Sequence, residues 1–185
     1  MSVNPAANNE ESYRVIAKVA VLAEWASVAG IVLLVGSATY LSLDTSRLLQ
    51  HLSCEAPAIL ARPSDTMVLL AGATALVPVI LLAFALWQAR QLFRLYRERR
   101  IFDQGIPAIL LRLGYLAVAA SAAGVLARTL IILFLTLGNP PGQRTVAIGI
   151  GTQDIMCLIV GLLLYGFAFV MKESRRIADE NEGFV

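Results

Sequence analysis

The chain has 185 residues, of which 58% are hydrophobic and 15% charged, whereas a water-soluble domain carries about 25% charge. This composition excludes an ordinary soluble domain and implies an integral membrane protein. The formal net charge of +2 says little as a total, because membrane proteins segregate charge between their two sides.

In chain order, Met1 to Ser12 is polar and contains no Lys or Arg. The apolar run after it exceeds a signal-peptide core, so an uncleaved anchor is expected in place of a cleaved leader. A membrane-spanning helix needs about 20 predominantly apolar residues. Windows 19–43, 66–87, 113–137 and 146–171 meet this need. The expected fold is all-α, an antiparallel four-helix transmembrane bundle forming one domain over residues 1–185.

Glu24 lies about six residues past Lys18, close to one membrane face. An interfacial salt bridge to Arg112 or Arg90 is set here against a catalytic or transport role. The connection from Asp44 to Asp65 contains Pro57 and Pro63 and has room for a short helix. His51 and Cys54 form a lone His-x-x-Cys there, too few ligands for a metal site. Cys157 belongs to a span, so a structural disulfide with Cys54 is not expected. In span two, Pro78 removes the helical partner of the Thr74 carbonyl and predicts a kink.

Residues 89–112 form a basic collar holding Arg90, Arg94, Arg97, Arg99, Arg100 and Arg112, with Phe93 and Tyr96 between them. Such a stretch suits the headgroup layer, where each basic residue gains about 1 kcal/mol beside anionic lipid. It also suits docking of a cytoplasmic protein. The tail, residues 172–185, changes sign from Lys172, Arg175 and Arg176 to Asp179, Glu180 and Glu182 around Asn181. It can fold back on the collar or stay solvated. Arg14, Lys18, the six collar arginines and the three basic tail residues share one side, against Arg47, Arg62 and Arg144 on the other. The positive-inside rule therefore makes both termini cytoplasmic.

Arg128 and Asp154 lie at equal sequence distance from Pro141 within apolar runs. If Asn139-Pro140-Pro141-Gly142 is a tight turn, the two charges share one depth, where a lone ion costs about 2.5 to 3.5 kcal/mol or more. Each then neutralises the other. Gly114, Ala117, Ser121 and Gly124 form a small-residue seam leading to Arg128, and Asp154, Cys157, Gly161 and Tyr165 form a facing stripe with Gly151 near its start. Three readings stand open: a clamp that sets helix register, a relay for protons or ions or a ligand counter-charge, or, with Ile155 to Met171 just long enough to span alone, Asp154 lying wet at the interface.

No Ser/His/Asp set, phosphate loop, haem-attachment motif or metal constellation occurs, so no catalytic residue, cofactor or metal is expected. The chain also contains no base-reading module, and direct nucleic-acid binding is not expected.

Tyr96-Arg97-Glu98-Arg99-Arg100-Ile101-Phe102 and Leu111-Arg112-Leu113-Gly114, followed by the tail Ile177-Ala178-Asp179-Glu180-Asn181-Glu182-Gly183-Phe184-Val185, resemble a bacterial membrane family called domain of unknown function 2975. The resemblance extends to span number and spacing. It implies a four-helix prokaryotic protein without an established activity, sometimes encoded beside small helix-turn-helix regulators. The expected function is a non-enzymatic adaptor or regulator of the bacterial inner membrane, binding such a cytoplasmic partner through collar and tail. The alternative is a small oligomeric transporter or channel using Arg128 and Asp154.

Overall fold

The computed structural model describes residues 5–54, 62–98, 105–140, 142–144 and 146–182, with side chains from residue 17 onward except at 42, 178, 179, 181 and 182. Arg99, Arg100 and Pro141 lie outside the described residues. The described chain forms helices α1 (Pro5–Ser42), α2 (Thr45–Ser53), α3 (Asp65–Arg97), α4 (Ile106–Thr136) and α5 (Thr152–Glu182). Four contain stretches long and apolar enough to cross a membrane: Ala17–Leu41, Asp65–Arg97, Ile106–Thr136 and Thr152–Ile177. The chain is thus a multi-pass, all-helical membrane protein.

Two helices outrun their apolar parts. At 1.5 Å per residue, the 38 residues of α1 extend about 57 Å, well beyond the roughly 30 Å hydrocarbon core. α5 likewise stays helical through its charged residues to Glu182. The acidic tail is therefore the last part of a helix, and Glu180 pairs with Arg176 on that same helix at 3.5 Å. The side chains of Asp179, Asn181 and Glu182 lie outside the described residues.

The short helix α2 begins where Asp44 accepts a hydrogen bond from the Ser46 amide at 2.9 Å, filling an otherwise orphan donor. Leu48 and Leu52, one turn apart, then bury against Val68 and Ala71 of α3 and Ile131, Ile132 and Leu135 of α4. A second cluster at the opposite end joins Leu92 of α3, Ile106, Leu110 and Leu113 of α4, and Ala168 of α5. These clusters place the start of α3 beside the end of α4, and the end of α3 beside the start of α4. Neighbouring long helices are therefore antiparallel.

The extensive interfaces run α1 to α3, α3 to α4 and α4 to α5, with α2 packed on α1 and α3. Among the described residues, no comparably extensive interface joins α1 to α5. The expected bundle is thus a row of helices that does not close into a ring. The reason lies in the side chains: α5 offers one narrow buried stripe, Asp154, Gly161 and Ala168, while Ile159, Leu163 and Phe167 point outward. One apolar stripe covers one neighbour, and lipid satisfies the rest.

The fourth span also begins later than hydropathy indicates. Residues 146–150 are not helical, and α5 opens at Thr152 instead of Val146. The tight four-residue turn is consequently replaced by a longer connection from α4 to α5. Asn139 Nδ2 donates to the Gln143 carbonyl at 3.1 Å, and Gly142 takes φ +93°, a left-handed conformation that glycine adopts without steric cost.

Candidate functional site

Arg128 and Asp154 meet although the symmetry argument that paired them does not hold. Arg128 sits about two turns before the end of α4, while Asp154 occupies the first turn of α5. The non-helical stretch before Thr152 carries the chain back along α4 to the level of Arg128. There Arg128 Nη1 lies 2.5 Å from Asp154 Oδ2 and donates to the Gly149 carbonyl at 3.3 Å. Asp154 Oδ2 also accepts from the Gly151 amide at 2.8 Å.

Each contact answers a local need. Gly151 precedes α5, so Asp154 is the third helical residue and its carboxylate returns to the amide before the helix, the acidic half of a capping box. A negative charge there also suits the positive end of the helix dipole. Backbone groups at membrane depth need partners when they leave helical pairing. Arg128 supplies one to Gly149.

Glycines make the arrangement possible. A Cβ at Gly149 would lie 2.5 Å from Arg128 Cδ, and one at Gly151 would lie 2.8 Å from Nη2. At Gly124 an added Cβ would overlap Asp154 Oδ1. Farther along α4, a Cβ on Gly114 would come 2.9 Å from the Gly161 carbonyl, and the converse is also 2.9 Å. The α4–α5 seam expected from small residues is present, including Gly114, Ala117, Ser121 and Gly124. Its α5 side holds Asp154, half-buried Cys157 and Gly161, then continues through Ala168. Tyr165 packs edge-on against Tyr115, with ring centroids 5.8 Å apart.

Sequence reasoning passed over Gly149 as a functional position and counted residues 146–150 as helix. A signal was present in the alternation of Val146, Ile148 and Ile150 with Ala147, Gly149 and Gly151, a period of two that does not fit a helix. The three larger residues are exposed, while Gly149 faces Arg128.

A cavity of about 220 Å³ opens beside the pair. Leu52, Pro78, Leu82, Ala127, Arg128 and Asp154 are among the residues that line it. Asp154 is 5% exposed, and the Arg128 side chain retains 22%. α3 continues through Pro78 as one helix. The arrangement fixes α5 to α4 by charge and leaves a mainly apolar hollow at the same level.

The second charged site lies at the other end of the row. Glu24, 8% exposed, meets Arg97 Nη1 at 2.7 Å and Arg90 Nε at 3.6 Å. Arg97 replaces Arg112 as the expected partner beside Arg90, because positions 90 and 97 stand two turns apart on the α3 face toward α1. Arg112 is exposed within α4. The remaining described collar residue, Arg94, pairs with Glu98 at 3.2 Å. Cys54 closes α2 as an exposed free thiol, and Cys157 is also free. His51 is exposed on α2.

Neither the curated proteins nor the solved structures provide a match. The family described as "protein of unknown function (DUF2975)" matches residues 55–184, from the connection before α3 to the penultimate residue. With most of its length covered, including three of its four candidate spans, the chain belongs to the DUF2975 family.

Proposed function

We propose that this protein is a non-enzymatic adaptor or regulator of the bacterial inner membrane, with both termini cytoplasmic. It holds a cytoplasmic protein against the end of the row where α3 and α5 finish. The observation that carries this reading is the continuation of helix beyond the apolar belt. α1 starts at Pro5, ahead of its apolar stretch at Ala17, and α5 continues past Ile177 to Glu182. Exposed Arg94, Arg112, Lys172 and Arg176 belong to the same end.

This surface offers charge of both signs on ordered helices, Arg112 and Lys172 beside the Arg94–Glu98 and Arg176–Glu180 pairs and the acidic end of α5, which suits a soluble partner of complementary mixed charge. A small helix-turn-helix regulator is one such partner class suggested by the family resemblance. Copurification from gently solubilised membranes tests the reading. Deleting residues 179–185 is expected to weaken partner recovery; no recovered partner, or unchanged recovery after deletion, refutes it.

A second reading, an oligomeric transporter or channel, draws on the cavity beside Arg128 and Asp154. Asp154 already caps α5 and pairs with Arg128, which favours a structural clamp over a mobile relay. Reconstituted flux abolished by Asp154→Asn in a folded protein would favour transport.

A further inference from the structure

We propose that the outer groove between α1 and α3 is a seat for one anionic phospholipid, with its phosphate at Arg90 and an acyl chain lying along the groove. Ile31, Ile80, Ala83, Phe84 and Trp87 line a hollow of about 290 Å³. A neighbouring hollow of about 330 Å³ shares Ile80 and Ala83 and extends to Val35 and Thr39. Together they make a continuous apolar trough.

Arg90 closes one end of that trough. Its guanidinium carbon lies 5.6 Å from the centroid of Trp87, whose ring forms part of the groove wall. About 15 Å of helix separates Arg90 from Ile80, matching the hydrocarbon depth of one leaflet. A phosphate held at Arg90 would therefore deliver its chain into the trough at the correct depth.

Charge selects the headgroup. Glu24 faces two arginines, but Arg97 makes the close contact at 2.7 Å, while Arg90 Nε stands 3.6 Å away. Among the described residues, Arg90 donates no hydrogen bond within the usual distance. It keeps 41% side-chain exposure. The Glu24 cluster thus has one positive charge in excess, and the loosely engaged arginine is the one above the groove. Guanidinium binds phosphate oxygens well, and Trp is suited to the membrane interface.

Trp87 provides the readout. In a Trp25→Phe background it is the remaining tryptophan. The protein is placed in phosphatidylcholine vesicles containing phosphatidylglycerol, with bromine on the acyl chains of one lipid at a time. At equal mole fraction, brominated phosphatidylglycerol is expected to quench Trp87 with about five-fold preference, the effect of one basic residue beside anionic lipid. Arg90→Gln should abolish that preference, whereas Arg94→Gln should leave it intact. Ala83→Leu, which fills the groove without altering the Glu24 pairs, should weaken quenching by both lipids.

Equal quenching by the two lipids overturns the proposal. So does an equal loss from Arg94→Gln and Arg90→Gln, which identifies a diffuse collar effect. Displacement of the phosphatidylglycerol preference by inorganic phosphate also refutes it, since the site would then bind a free anion. If Arg90→Gln fails to fold, unchanged quenching in Ala83→Leu is sufficient to overturn it.

Discussion

One oxygen of Asp154 accepts from the Gly151 amide and faces Arg128 Nη1, so the same carboxylate starts α5 and fastens it to α4. Arg128→Leu is expected to destabilise the protein by about 3–5 kcal/mol by leaving that carboxylate without its charge partner. Asp154→Asn should also be costly, by about 2–4 kcal/mol, because its amide oxygen can still accept from both donors but the Arg128 charge is left without a counter-charge at membrane depth. Denaturant unfolding in detergent micelles measures both.

The charge swap Arg128→Asp with Asp154→Arg separates this geometry from simple charge pairing. A plain pair predicts rescue by the double variant. Here an arginine at position 154 would face the positive end of α5, and an aspartate at 128 could not donate to Gly149. The double variant is expected to be no more stable than the weaker single one. Recovery to near wild-type stability would contradict the capping role.

Glycine substitutions should divide into two groups. Gly124→Ala, Gly149→Ala and Gly151→Ala force Asp154 or Arg128 to move and should each cost about 1–3 kcal/mol. Gly36 and Gly166 lie on helices with no neighbour within 4 Å of an added Cβ. Their replacement by alanine should be neutral or stabilising by up to about 1 kcal/mol. Comparable loss of thermal stability in both groups would refute the cradle.

At the other end of the α4–α5 seam, Gly161→Val should separate two backbones whose closeness leaves no room for a Cβ. A loss of about 1–3 kcal/mol is expected, accompanied by weaker contact between Tyr115 and Tyr165. Crosslinking across this ring pair in the variant, compared with wild type, checks the separation.

Sidedness can be read from thiols. Cys54 is exposed beyond α2, and Ser174 is exposed near the far end of α5. With Cys157→Ser, Cys54 should react with an impermeant maleimide added outside intact cells. In a Cys54→Ser, Cys157→Ser background, Ser174→Cys should react only in inverted vesicles. The reverse pattern would place the basic end outside and refute the cytoplasmic adaptor.

The amino-acid sequence determined the number of candidate spans, the small-residue seam and the need for Arg128 to find an opposite charge. Those conclusions follow from apolar length, helical spacing and the cost of an isolated ion in hydrocarbon. It also identified Glu24 as a charge to be paired, but left Arg97 unselected, because helix rotation decides which arginines face α1. Tertiary structure decided that α5 begins at Thr152 and that the helices form an open row. Hydropathy measures compatibility with lipid, so it cannot distinguish residues 146–150 from helix when their larger side chains are equally apolar. The chain leaves helical geometry there because Arg128 fills the space beside Gly149 and Gly151 while satisfying the Gly149 carbonyl, a relationship between segments that no local pattern contains.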